Sequence, residues 1–153
     1  MANTEIRSLL APLTEGNLLL PNSAVAEILN FTSPKPLKRT PSWLLGELPC
    51  RCWQVPIICY EQVIKAATSH RITPKSRILI IKTLGESTQV NYIGVLIQGL
   101  PRLKKITSST LLEIETEKLP ETLFSTVRVE DLDSFIPALS ALTLMVEEAA
   151  YSS

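Results

Sequence analysis

"PSWLLGELPCRCWQVPIICYE", Pro41 to Glu61, holds all three cysteines, both tryptophans and three of the eleven prolines of the chain. Its reading separates a reactive or metal site from a packed turn. Two apolar runs, Leu44–Leu48 and Gln54–Cys59, flank Pro49-Cys50-Arg51-Cys52, the pattern of two strands around a turn. The cysteine spacing does not suit a metal. A structural zinc site takes four Cys or His ligands with C-x2-4-C pairs, and here Cys50-x-Cys52 and Cys59 leave only His70 as a fourth ligand. C-x-C is not the C-x-x-C redox motif. Arg51 is the one activating charge beside the thiols, and a reactive cysteine usually needs a His or a helix N-terminus as well. Cys59 therefore reads as a small hydrophobe on a buried strand, with Cys50 and Cys52 in the turn.

Outward from this pair, the same rhythm repeats. Leu18–Leu20 and Val25–Phe31 form an apolar pair around Pro21-Asn22. Arg77–Lys82 and Val90–Gln98 form another, with Gly85-Glu86-Ser87 at the turn. Thr126–Val129 and Phe135–Leu139 close the series. The proline-rich Thr32–Pro41 lacks the N–H groups a sheet interior requires and reads as a stiff loop or sheet edge. Ile78–Ile81 is apolar on both faces, as in a central strand. Glu61–Ala67 suits a short helix. Ser140 suits the cap of a terminal helix whose stripe is Leu142, Met145, Val146 and Ala149. Eight to ten short strands with regular turn signals and no strand–helix alternation predict an all-β barrel or sandwich.

The chain of 153 residues is 45% apolar and 20% charged, with a net charge of zero. A chain of this length buries enough surface to fold without disulfides or metal. Zero net charge gives no general attraction to nucleic acid or anionic lipid. The apolar runs fall short of the ~20 residues that span a bilayer, and the N-terminus lacks a signal-peptide pattern. The expected setting is the cytoplasm, with no membrane insertion.

Other candidate chemistry is sparse. His70, the only histidine, sits in a polar loop with no nucleophile elbow nearby. Glu113, Glu115 and Glu117 alternate along a potential edge strand, where like charges discourage unwanted pairing. No glycine-rich phosphate cradle exists among five glycines, so nucleotide binding by those motifs is excluded. No cofactor and no small-molecule substrate is expected. Lys35/Lys38/Arg39 and Arg102/Lys104/Lys105 are basic clusters that suit an OB-type single-stranded nucleic-acid binder, the competing reading. None of the eight aromatics interleaves with them, which weighs against nucleic acid as a partner. Trp43 stands about evenly between a core residue and an interface anchor.

The central stretch resembles a known family. P-x-x-x-x-G, then Arg five residues on and Pro-Ile ten residues after the glycine, matches Gly46, Arg51 and Pro56-Ile57. Val25, Glu27 and Ile28 match an upstream V-x-E-I, Arg77 a t-R-i-i-v-v, and Gly94, Leu96, Ile97 and Leu100 a G-l-l-V-D-x-V. In this order, over about residues 13–149, they resemble the CheW-like adaptors of bacterial chemosensory arrays. "LLLPNSAVAEI" and P-x-W-x-L-G look most like the ChpC-type branch associated with type IV pili. The chain departs from that branch's W-R-G-Q by placing Cys52 at the glycine. It departs from V-D by placing Gln98 at the aspartate. A cysteine there is strained if the position has positive φ.

The resemblance implies two small SH3- or OB-like β-barrel subdomains sharing a core, with a short C-terminal helix. It implies a non-enzymatic adaptor that joins the cytoplasmic tip of a methyl-accepting chemoreceptor to the regulatory domain of a CheA-type histidine kinase. The receptor tip would lie in a groove between subdomains near Val25, Glu27, Ile28, Arg51 and Leu100. The expected domain runs 13–149, with halves near 18–82 and 83–149, strand exchange between them, and flexible ends at 1–12 and 150–153. On an ideal strand, Val25 and Ile28 point to opposite faces.

Overall fold

The structure is a computed structural model that describes residues 6–14, 16–50, 52–83, 90–106, 112–113, 122–129 and 132–151. In chain order the elements are β1 (Ile6–Pro12), β2 (Asn17–Pro21), a 3-10 turn (Asn22–Ala24), β3 (Val25–Asn30), β4 (Leu44–Cys50), β5 (Trp53–Ile58) and α1 (Tyr60–Val63). There follow β6 (Arg77–Lys82), β7 (Tyr92–Ile97), β8 (Arg102–Ile106), β9 (Leu112–Glu113), β10 (Leu123–Val129), β11 (Leu132–Pro137) and α2 (Leu139–Tyr151). They build two sheets. The first has six strands in the order β8-β1-β2-β11-β10-β9, and the second five in the order β3-β6-β7-β5-β4.

The second sheet is one unbroken stretch of sequence, residues 25–97, inserted between the two ends that make the first. Its β4–β5 and β6–β7 hairpins are antiparallel, as the turn signals predict, and β5 and β7 join in parallel. Alternate residues of β6 enter two different cores. Ile78 and Ile80 pack with Val55 and Ile57 inside the second sheet. Leu79 and Ile81 face a larger core shared with Ala11, Leu18 and Leu20 of the first sheet and Leu142 and Val146 of α2. A strand buried on both faces has no polar alternation, which accounts for the continuous run "RILIIK". The second sheet curls until its edge strands β3 and β4 approach, where the Cys50 thiol donates to Glu27 Oε2 at 3.6 Å. A third core, built on Leu10, Leu19, Ile106, Val127 and Val129, lies on the other face of the first sheet. The expected all-β architecture, two subdomains over a shared core with one C-terminal helix, is what the chain adopts.

Polar clamps tie the sheets together. Tyr60 Oη donates to the Thr122 carbonyl at 2.7 Å, and burial raises its pKa. The buried Glu61 accepts from the Thr14 amide through Oε1 at 2.7 Å. The Gln98 amide donates to the Pro12 carbonyl at 2.8 Å. From the end of α2, Tyr151 Oη reaches Glu47 Oε2 at 3.3 Å.

Several expectations need correction. Residues 6–12 are not a flexible end; they form β1, paired on both sides by β2 and β8. The halves do not divide near residue 82, because β7 belongs to the second sheet while β1 and β2 return to the first. Leu18–Leu20 and Val25–Phe31 are not a hairpin; the turn at Asn22–Ala24 carries the chain from one sheet to the other. The basic segment at Arg102 is a strand, β8. Ser140 lies inside α2 rather than capping it, and Met145 faces outward while Leu142, Thr143 and Val146 are buried. Thr143 can be buried because its hydroxyl donates to the Leu139 carbonyl at 2.7 Å, which removes the polar cost that its residue type suggests. Glu113 falls in β9 at the edge of the first sheet, and Glu115 and Glu117 lie outside the described residues.

Gly46 shows why the proline loop runs where it does. Lys35 and Glu47 exchange both backbone hydrogen bonds at 2.9 Å, so the loop covers the open edge of β4. Gly46 has φ +142, and a Cβ there would collide with the Lys35 carbonyl. Only glycine lets the two backbones come that close.

Candidate partner-binding groove

The edge strand β3 presents the expected site residues in a way that ideal alternation does not predict. A bulge lies between Val25 and Glu27, so Val25 faces Ile81, Glu27 faces Ile80 and Ile28 faces Leu79 on β6. Residues directly opposite in a ladder share a face. Ile81 and Leu79 both point into the shared core, so Val25 and Ile28 share that side. The bulge supplies the extra residue that restores their common direction. Val25 packs against the shared core, while Ile28, further along, is 39% exposed.

Glu27 points the other way, into the interior of the curled sheet, where it takes the Cys50 thiol hydrogen bond. The structure therefore separates Glu27 from Val25 and Ile28. Arg51 lies outside the described residues. Its neighbour Cys52 has φ 66, the left-handed region that favours glycine. The strain expected from a cysteine at the family's glycine position is thus present.

Leu100 lies beyond the far end of β7 and is 66% exposed. Asn30, Arg77 and Ile97 line up across β3, β6 and β7, so Leu100 sits past the Asn30 end of β3 and Val25 marks the opposite end. Gln98 is built into this corner. Its Nε2 donates to the Arg71 carbonyl at 2.7 Å, and its Oε1 accepts from Ser76 Oγ at 3.1 Å. The residue at the family's aspartate position here braces the 71–76 loop.

The facing wall comes from the first sheet and was not legible as such in the sequence. Leu9 lies opposite Leu20 on β2 and Leu103 on β8. Leu20 belongs to the shared core, so Leu9 and Leu103 continue that same face outward onto the sheet edge. Leu103 is 59% exposed. The 3-10 turn leading into β3 packs beside β1, and Gln98 holds the other end of β1 through Pro12. Val25 and Ile28 on β3, and Leu9 and Leu103 on β1 and β8, thus lie on the shared-core sides of their two sheets, and Ile28, Leu103 and Leu100 are exposed. Leu103 sits in a basic run, and without the strand assignment its direction cannot be read.

The other chemical candidates have structural settings. His70 is exposed, with Nδ1 3.0 Å from Gln62 Oε1. Gln62 in turn donates to Ser42 Oγ at 3.3 Å and the Thr68 carbonyl at 3.2 Å. Cys59 is buried at the start of α1, and burial pushes its thiol pKa up. Cys52 is exposed. Among the described residues, no cluster of three or more His, Cys, Asp or Glu is placed to hold a metal ion. No helix among them is long and apolar enough to cross a membrane. Trp43 is partly buried against the shared core.

Comparison with known proteins agrees with this architecture. Among solved structures, the chain is similar to the crystal structure of the scaffolding protein TtCheW from Thermoanaerobacter tengcongensis, with a TM-score of 0.74 and 17% identity, over 91% of this chain and 88% of that one. No curated protein sequence matches it. The family model of the CheW-like domain matches residues 7–148, which takes in β1 from Arg7 and α2 as far as Glu148. The chain belongs to the CheW-like domain family.

Proposed function

We propose that this protein is a non-enzymatic cytoplasmic adaptor that couples methyl-accepting chemoreceptors to a CheA-type histidine kinase, in an array of the ChpC type governing pilus-driven motility. The observation that carries this reading is the set of exposed large hydrophobic residues Ile28, Leu100 and Leu103, of which Ile28 and Leu103 lie on the shared-core sides of β3 and β8. A helical hairpin laid over such residues buries apolar side chains at regular helical spacing. In this reading the receptor tip lies along β3 and β1, contacting Val25, Ile28, Leu103 and Leu100. Glu27 acts by fixing the turn through Cys50, and Arg51 is a polar anchor for the tip. Separate surfaces grip receptor and kinase, so a shift in one biases the conformational equilibrium of the other.

Co-purification with a receptor tip fragment and a CheA-type regulatory domain tests the proposal, with wild type, Ile28→Asp and Arg51→Ala compared. The expected result is capture of both partners by wild type and loss of the receptor fragment alone in the variants. Failure of wild type to capture either partner overturns the bridging function. Loss of both partners together in the variants overturns the site assignment.

A further inference from the structure

We propose that Cys50 and Cys52 form a reversible oxidation site, where a peroxide joins them in a disulfide and the bridge unlatches the seam between β3 and β4. This chemistry is separate from partner binding, and its test needs no partner. β3 and β4 are the two outer strands of the five-stranded sheet and are not ladder partners of each other. The curl of the sheet still brings Cys50, the last residue of β4, to Glu27 of β3, where the thiol donates to Glu27 Oε2 at 3.6 Å. Cys50 packs against the interior core of this sheet, while Cys52 is exposed. Cys50 lies directly opposite Trp53, so the two cysteines take the first and third positions of one tight turn. Residues so placed hold their Cα atoms about 5–6 Å apart, within the roughly 4.4–6.8 Å that disulfides span. Cys59 is buried, and burial pushes its thiol pKa up, which makes it an inert internal reference.

The step balances with two thiols and one peroxide. Cys52 Sγ attacks a peroxide oxygen and the O–O bond breaks, leaving a sulfenic acid on Cys52 and releasing one water. Cys50 Sγ then gives its proton to Glu27, the carboxylate it already faces, and attacks the Cys52 sulfur. The S–O bond breaks and the S–S bond forms. The departing hydroxide takes the proton from Glu27 and leaves as a second water. Two thiol sulfurs are oxidised and the peroxide is reduced. Exposure rather than activation selects Cys52, so the first step is slow. Once bridged, Cys50 has no S–H to donate, and this tie across the seam is lost. The ring that a C-x-C bridge closes is small and strained, and strained, exposed disulfides are readily reduced. Such a bridge suits a reducing compartment, where disulfides are transient rather than structural.

The test treats the reduced full chain with hydrogen peroxide and follows thiols titrated after unfolding, intact mass and hydrogen exchange. The three free thiols should fall to one, with the mass of two hydrogens lost and full recovery on adding dithiothreitol. Amide exchange in β3 should quicken about fivefold, the scale of one lost hydrogen bond, and revert on reduction. Cys52→Ser should keep both its thiols and its slow β3 exchange under peroxide. Cys50→Ser retains a hydroxyl that can donate to Glu27, so Cys52 should stop at the sulfenic acid, trapped by dimedone, with β3 exchange as in the reduced wild type. Oxygen added to Cys52 without a bond to Cys50, or two chains joined through Cys52, overturns the proposed site. A bridge that forms while β3 exchange stays unchanged overturns the latch.

Discussion

The two sheets share one core but are made in opposite ways. The second is a continuous stretch from β3 to β7, closed by hairpins and one parallel joint between β5 and β7. The first is assembled from both ends of the chain: β1 pairs with β8 some ninety residues away, and β2 lies parallel to β11. The proposed receptor seat draws on both, with Val25 and Ile28 from β3 and Leu103 from β8. That proposed surface is thus a property of the two sheets together.

If the two sheets form one cooperative unit, cavities in the shared core should weigh on both. Leu79→Ala, in the core reached by both sheets, is expected to lose about 2–5 kcal/mol in a single denaturant transition. Ile80→Ala, in the interior of the second sheet alone, should lose a similar amount. Hydrogen exchange then separates them. Leu79→Ala should loosen β1, β2 and α2 along with β6, whereas Ile80→Ala should act first on β3 to β7. Equal protection loss everywhere in both variants would break the distinction between a shared and a private core.

Backbone strain sharpens the contrast at a smaller scale. Gly46→Ala must push the Lys35 backbone off the β4 edge and should cost at least about 1–3 kcal/mol, chiefly by opening the second sheet. Cys52→Gly should act in the reverse direction, stabilising the β4–β5 turn by about 1 kcal/mol because φ 66 is free for glycine. Denaturant midpoints of the two variants, measured against wild type, check the signs.

The smallest effect concerns a clamp between α2 and the second sheet. Burial, followed by the nearby Glu47 carboxylate, pushes Tyr151 from its ordinary value of 10.0 up to about 12. Its folded-state pKa lies above the unfolded one, so its contribution is fully present below about pH 10. It is lost as pH rises through about 12. Tyr60 is raised by burial in the same sense. Tyr151→Phe should remove part of the alkaline loss of stability between these limits and leave the neutral-pH melting temperature little changed. An unaltered alkaline profile would show that this clamp does not couple α2 to the second sheet.

The same division governs what the sequence reveals. The β4–β5 and β6–β7 hairpins are local, and short apolar runs around Pro, Gly and Asn mark them; β10–β11 is as local but turns at Glu130-Asp131 without those residues. β1 and β8 pair over a long separation, and "RSLLAP" and "RLKKI" carry no turn between them to announce it. Pro21-Asn22 resembles a hairpin turn but redirects the chain between sheets, because propensity records that the chain bends and not which strand it meets. Of the site, Val25, Ile28 and Leu100 could be singled out by resemblance, and the structure brings Val25 and Ile28 to one side through a bulge that residue counting cannot see. Glu27 faces elsewhere, and Leu9 and Leu103 emerge only once β8 is recognised as an edge strand.

The most direct test of the central claim is the affinity of a receptor tip hairpin for wild type, Leu103→Asp and Leu144→Asp, measured by isothermal titration. Leu103 and Leu144 are almost equally exposed, at 59% and 61%. Leu144 stands on α2, which packs toward β4, the edge of the second sheet opposite β3 in strand order. A groove at the sheet junction predicts that Leu103→Asp abolishes binding and Leu144→Asp leaves it intact. Binding lost in Leu144→Asp and kept in Leu103→Asp would contradict it and move the receptor seat to the helix.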